Sequence, residues 1–361
     1  MAQIALNRNT ANLFFGHDSR PLTQLFSYIK LLCAAVIAVA SISLLLAGVW
    51  YSLTHPIFLA IELCASAIIG ASVTLAGAMP VLHPRRTQPK QTPSNFGIQN
   101  WEDVRFLTED GIELGAWFIP PPRAGKHATL IFVHGLGGNR GDLLSQAAML
   151  VSRGFGALLI DLRNHGKSDG QITTLGYAEA DDVHGAFYYL LMRPEVDPDR
   201  IGLFGYSMGA ATVLRAGVRL PQIRSIIAES AYSSLRENIV HGIISRTGLP
   251  PFPFAPLMIW LGELITGLCI DQIRPIDDMA RLGSRAVLFI HGKKDRSVHV
   301  SNSVRLFNAA QGPRGLYLID RATHTNLSSS EPVEFEKRIS GFLDWSLQGI
   351  ERRQSPRLNP I

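Results

Sequence analysis

The stretch "DRIGLFGYSMGAATVLRAG" holds Ser207 between Gly205 and Gly209, on the seam between a short apolar run and a helix-like one. A serine hydroxyl is a weak nucleophile near neutral pH. It attacks an acyl carbon only when a base takes its proton and an acid orients that base. Both are offered further along the chain. "LFIHGKKDRSVHV" carries Asp295 just past an apolar run, and "LYLIDRATHTNL" carries His324 just past the next. His324 would take the Ser207 proton and return it to the leaving group, with Asp295 orienting the imidazole and stabilising its charged form. Glu229, ending "IRSIIAE", is the alternative acid. The tetrahedral oxyanion needs two N–H donors, expected from Met208, directly after the nucleophile, and Leu136 in "VHGLGGNR". His134 and Gly135 would turn that loop. The chemistry is acyl transfer: cleavage of an ester, thioester or amide through an acyl-enzyme.

Such residues need a frame that brings them to one edge. After about residue 100 the pattern alternates strand-like and helix-like stretches: "DVRFLTEDGIELGAWFI" as two strands, then "ATLIFV", "GALLIDL", "IGLF", "IRSIIAE", "RAVLFI" and "GLYLID", with helical runs between most of them. Alternation of this kind predicts an α/β fold, a mostly parallel eight-stranded sheet with helices on both faces. Ligands then bind outside the carboxyl ends of the strands, where Ser207, Asp295 and His324 all fall. The glycines fit that place. Side chains at Gly205 and Gly209 would collide with strand and helix in the tight turn that pushes Ser207 outward. An apolar, proline-broken helical insertion, about residues 232–281, reads as a lid. Tyr206, Phe254 and Trp260 are the expected substrate contacts.

The rest of the chain is of another kind. Between Lys30 and Arg85 the only ionisable groups besides Cys and Tyr are His55, Glu62 and His83. Leu31 to Trp50 and Ile57 to Leu82 are each long enough to cross a bilayer as a helix, so 31–82 is expected as a transmembrane helical hairpin. Arg8, Arg20 and Lys30 precede it, and Arg85, Arg86 and Lys90 follow. That bias predicts a two-pass membrane protein with both ends and the catalytic domain in the cytoplasm, the inner membrane if the source is bacterial. Residues 1–30 are then a cytoplasmic segment, 83–100 an extended, solvated linker, 101–348 the catalytic domain and 349–361 a basic tail. The net charge of +5 sits largely beside the spans and in the tail, which favours anionic lipid over nucleic acid. No metal or cofactor spacing is visible, and Cys33, Cys64 and Cys269 form no disulfide framework.

"HGLGG", "DLRNHGKSDG", "GYSMG", "HGKKD" and "ATH", in this order, resemble the α/β-hydrolase superfamily. Within it the chain is similar to the serine hydrolases grouped as serine aminopeptidase-like and BEM46-like, over about residues 100 to 348. The resemblance implies a hydrolase with no cofactor and is nearly silent on substrate. Serine at 207 argues against the aspartate-dependent haloalkane dehalogenases and the cysteine-dependent dienelactone hydrolases. Asp161, Arg163 and His165 lie in a loop that in relatives braces the site. His184, His241, Lys293 and Lys294 read as ordinary lid or surface residues, and Glu62 as an interfacial carboxylate. The leading expectation is a membrane-anchored serine hydrolase acting on a small-molecule or lipid-like ester, probed against two others: a peptidase, and a non-catalytic scaffold.

Overall fold

The computed structural model describes residues 39, 41–43, 45–51, 55–122, 125–248 and 250–348. The segment 1–30, half of the expected span Leu31 to Trp50 (31–38, 40 and 44), and the tail 349–361 lie outside the described residues. The chain divides into two compact units, Met1–Gly70 and Ala71–Ile361. In the first, a short apolar helix, α1 (Ser41–Tyr51), is described. It is followed by α2 (Pro56–Leu82), which begins in that unit. Among the described residues one helix, Ile57–Leu82, is by itself long and apolar enough to cross a membrane. Ile57, Ile61, Leu63, Ile68 and Ile69 on it are exposed.

The second unit is built on a sheet of eight strands: β1 (Glu102–Leu107), β2 (Glu113–Ile119), β3 (His127–Val133), β4 (Gly156–Ile160), β5 (Val196–Tyr206), β6 (Ser225–Glu229), β7 (Ala286–Gly292) and β8 (Arg314–Ile319). Their order is β1-β2-β4-β3-β5-β6-β7-β8. β2 runs antiparallel to both neighbours, and every other pairing is parallel. A parallel sheet is covered on both faces, so its strands read as continuous apolar runs rather than alternating ones. Side chains still alternate between the faces. Ile131 and Val133 of β3 enter one core with α4 (Glu179–Leu191) and α5 (Met208–Arg219). Leu130 and Phe132 enter the other with α3 (Leu144–Ser152) and α11 (Pro332–Leu343).

The insertion between β6 and β7 is helical, as expected: α6 (Leu235–Thr247), α7 (Pro251–Thr266) and the short α8 (Pro275–Asp278). The remaining helices are α9 (Ser301–Ala309) and α10 (Leu327–Ser330). Two details differ from the sequence reading. β5 begins at Val196, well before "IGLF", because a register shift between His127 and Thr129 lets Val196 pair with β3. The stretch 83–100 is mostly exposed but docked rather than free. Gln88 Nε2 donates to the Gly166 carbonyl at 3.3 Å, Asn139 Nδ2 to Thr87 Oγ1 at 2.9 Å, and Trp101 Nε1 to Ser94 Oγ at 3.0 Å.

The β5–α5 junction is the tightest point of the fold. Ser207 sits at φ 54°, ψ −116°, a region that side-chain-bearing residues rarely occupy. A Cβ on Gly205 would enter the backbone of Gly209, and one on Gly209 would enter the carbonyls of Val133 and His134. These are backbone atoms of the strand ends and of the first turn of α5, and they cannot move aside as a flexible side chain could. Gly209→Ala is therefore expected to lower stability by about 3 kcal/mol or more, read as a drop in melting temperature. Gly341→Ala in α11 is the matched control, since a Cβ there meets nothing within 4 Å. It is expected to be neutral or to stabilise by about 0.5–1 kcal/mol. Equal effects of the two substitutions would contradict this packing argument.

Candidate active site

Ser207, Asp295 and His324 follow the carboxyl ends of β5, β7 and β8, and the parallel sheet brings them together. His324 Nε2 lies 2.9 Å from Ser207 Oγ, and His324 Nδ1 lies 2.6 Å from Asp295 Oδ2. The other carboxylate oxygen, Oδ1, accepts the backbone N–H groups of Ser297 (2.8 Å) and Val298 (2.9 Å). Burial alone would raise the Asp295 pKa. Hydrogen bonds from His291 and His324 and the backbone donor of Val298 outweigh it and hold the carboxyl well below the usual range. It stays ionised.

His291 is a contributor that the sequence reading quoted within "HGKKD" without giving it a role. It is fully buried. Its Nε2 faces two acceptors, the Val298 carbonyl at 2.9 Å and Asp295 Oδ2 at 3.2 Å, so that nitrogen carries the proton. Its Nδ1 is 2.7 Å from Ser303 Oγ on α9. The signal available in sequence was a histidine four residues before the acid, which is too common a spacing to be read alone.

Glu229, the alternative acid, is also buried at the strand ends, but it does not reach the imidazole. Its backbone carbonyl accepts the Ser207 N–H at 2.8 Å, while its Oε1 has no hydrogen-bond partner among the described residues. Burial pushes its carboxyl up to about 8. It is neutral near pH 7 and unfit to stabilise an imidazolium.

The loop after β3 is shaped by two histidines. His134 Nδ1 donates to the Gly135 carbonyl (2.7 Å) while its Nε2 accepts the Leu162 N–H (3.1 Å). His165 repeats the pattern, with Nδ1 on the Arg163 carbonyl (2.9 Å) and Nε2 accepting the Gly137 N–H (3.1 Å). Both rings are therefore neutral. Burial, reinforced by the neighbouring His165, pulls His134 down to about 3. Asp161 completes the brace by accepting the N–H groups of Arg140 (2.7 Å) and Lys167 (2.9 Å). Arg163 is held by Asp182 and Asp110. In this frame the N–H groups of Leu136 and Met208 donate to no protein group among the described residues. Met208 opens α5, whose dipole favours negative charge there.

Ser207, Met208 and Leu136 line a cavity of about 340 Å³. Its wall is largely apolar, including Leu175, Ile239, Ile243, Met258 and Ile270, and Arg246 is the charged residue on it. The three expected substrate contacts fall elsewhere. Trp260 is exposed on α7, about 200° around the helix from Met258, which faces the cavity. Phe254, half-buried, is not among the lining residues. Tyr206 instead buttresses the base: its hydroxyl donates to the His324 carbonyl at 3.0 Å and its ring lies 5.2 Å from the imidazole. Greasiness of the lid was legible in sequence. The rotation of α7 was not, because that helix is apolar nearly all round.

The Glu229 carboxyl gives a pH signature. The unfolded chain loses this proton above its ordinary value of 4.5, whereas the folded chain keeps it to about 8. Stability is thus lost as pH rises through that window. Glu229→Gln is expected to raise the melting temperature relative to the parent at pH 8, with the gain shrinking towards pH 5. A gain independent of pH would contradict the raised carboxyl.

Comparison with known proteins agrees with this fold. Residues 128–255 match the sequence profile of the alpha/beta hydrolase fold family. The YqkD protein of Bacillus subtilis is 28% identical, over 76% of this chain and 95% of its own length. The YfhR protein of Escherichia coli is 30% identical, over 65% of this chain and 78% of its own length. Among solved structures, the Pyrococcus furiosus esterase Pf2001 superposes with a TM-score of 0.63 at 26% identity, covering 74% of this chain and 98% of that one. Sheet order, strand-end site and sequence kinship converge: the chain belongs to the alpha/beta hydrolase family.

Proposed function

We propose that this protein is a membrane-anchored serine hydrolase that cleaves an ester, thioester or amide of an apolar or acylated substrate through an acyl-enzyme. The observation that carries the reading is the unbroken hydrogen-bonded path from Ser207 Oγ through His324 to Asp295. Asp295 holds the proton on His324 Nδ1, which leaves Nε2 bare toward the hydroxyl. Ser207 attacks the carbonyl carbon as its proton passes to Nε2, and the resulting imidazolium lies against an ionised carboxylate. The N–H groups of Leu136 and Met208 receive the oxyanion. His324 then protonates the leaving group, and a water activated by the same nitrogen hydrolyses the acyl-serine.

The largely apolar cavity and the esterase activity of the Pyrococcus furiosus relative favour an ester of a hydrophobic acid. A peptidase reading would want an accessible anion to hold a substrate amino terminus. Glu229, the candidate for that task, is buried and neutral, which speaks against it. The membrane reading rests on α2. Its stretch from Pro56 to Leu75 rises about 30 Å at 1.5 Å per residue, the thickness of a bilayer's hydrocarbon core. Basic residues on both sides of 31–82 support a cytoplasmic hydrolase domain.

Ser207→Ala is expected to lower kcat for ester hydrolysis by a factor on the order of 10⁴ to 10⁶ with the melting temperature retained. Asp295→Asn should cost about 10⁴ by misplacing the imidazole proton, and Glu229→Gln no more than a few-fold. Steady-state kinetics on the three purified variants check this. Retained hydrolysis in Ser207→Ala, or a larger loss from Glu229→Gln than from Asp295→Asn, would overturn the assignment.

A further inference from the structure

The end of α2 belongs to the hydrolase unit and is part of its site. Thr74, Ala78 and Leu82 recur every four residues and are buried, so one stripe of the last turns faces protein. The helix terminus is tied down. The Leu82 carbonyl accepts the Thr173 N–H at 2.9 Å and Asn164 Nδ2 at 3.1 Å. Just beyond it, His83 Nδ1 donates to the Gln171 carbonyl at 2.7 Å, and Arg86 donates to the carbonyls of Ser168 (2.7 Å) and Gly170. All these acceptors and donors lie in the loop that also carries His165, the ring that holds the oxyanion loop through Gly137. The position of α2 and the shape of the site are therefore set by one loop.

Gly77, Ala78, Val81 and Leu82 line the same cavity as Ser207. Gly77 makes the approach close: a Cβ there would lie 3.1 Å from Met258 Cε, on the lid helix that also faces the cavity. α6 presents Asn238, Gly242 and Arg246 to it, four residues apart on one helix face. Measured along α6, the pocket extends about 12 Å between Asn238 and Arg246. Small residues on α2 and α6, at 77, 78 and 242, leave room for an elongated apolar group beside a serine. A compact polar substrate would gain nothing from such a wall.

We infer that the last turns of α2 are the wall of an acyl-chain pocket, and that Gly77 and Val81 determine which chain lengths the enzyme accepts. The substrate class is a long-chain acyl ester, a lipid-like molecule whose chain lies along α2 with its carbonyl at Ser207. The helix proposed to sit in the bilayer is then also the surface along which the chain reaches the serine. A methylene that follows it stays among apolar side chains rather than crossing water. This inference rests on the serine hydrolase reading above and adds its specificity.

The test uses the full-length, detergent-solubilised chain and p-nitrophenyl esters from acetate to palmitate. The readout is the ratio of kcat/KM for the decanoyl ester to that for the acetyl ester, which does not depend on the folded fraction. Gly77→Leu is expected to lower this ratio about tenfold or more, Val81→Ala to shift the optimum to longer chains, and Met79→Ala, on an exposed position of α2 outside the cavity, to leave it within about twofold. An unchanged ratio in both Gly77→Leu and Val81→Ala overturns the inference while leaving the serine hydrolase reading standing. An equal shift in Met79→Ala also overturns it, because the effect would then be general to the helix. Ester hydrolysis that survives Ser207→Ala overturns both.

Discussion

The 2.6 Å hydrogen bond between His324 Nδ1 and Asp295 is the contact on which the rest of the site depends. An imidazole has two nitrogens and, when neutral, one proton. By fixing that proton on Nδ1, the carboxylate makes Nε2 an acceptor, 2.9 Å from the Ser207 hydroxyl. The carboxylate can do this only while ionised. Its buried position opposes ionisation, so the surrounding donors matter: His291 on one side, the Ser297 and Val298 amides on the other. Glu229, also buried but with an oxygen that finds no donor among the described residues, shows the opposite outcome on the same sheet edge. Two buried carboxyl groups are driven to opposite charge states: hydrogen bonds and the His324 charge favour the ionised form of Asp295, while burial without such partners favours the neutral form of Glu229.

The Ser207 hydroxyl and the neighbouring Met208 N–H are held by steric means. Ser207 occupies a strained backbone conformation because β5 must turn into α5 without space for side chains at 205 and 209. Strain of this kind persists only where the surrounding structure over-determines it. Here it is over-determined by the β3 carbonyls below and by the Glu229 carbonyl, which captures the Ser207 N–H. The loop after β3 is fixed differently, by two neutral histidines, each donating to a carbonyl and accepting from an amide. A charged ring could not accept, and the burial that pulls His134 down to about 3 favours the neutral form that holds the Leu162 N–H.

Much of this was legible in the sequence because it is local. Gly205 and Gly209 announce a tight turn by spacing, and an apolar run directly before Asp295 or His324 places each at a strand end. Eight strands followed from the same alternation. What escaped was whatever depends on rotation or on distant packing. Trp260 and Phe254 looked like substrate contacts by composition, yet the face of α7 that meets the cavity is Met258 and Gly262. Tyr206 was read as a binding residue, and its hydroxyl instead holds the His324 carbonyl. His291 needed the geometry of a turn to meet Asp295. The segment 83–100 looked like a linker because it is polar and proline-rich, and only the docked structure reveals its carbonyl and side-chain partners. Gly77 and Val81 were hidden most thoroughly. A run of apolar residues announces a membrane helix and says nothing about its last turns lining a pocket.

The central claim is that Ser207 becomes covalently acylated. Its most direct test is to treat the detergent-solubilised protein with a fluorophosphonate, digest it and locate the adduct by mass spectrometry. A single phosphonyl group on Ser207, absent after the probe is added to Ser207→Ala, is the expected result. Modification of a different residue, or none under conditions where the protein hydrolyses esters, would contradict the account.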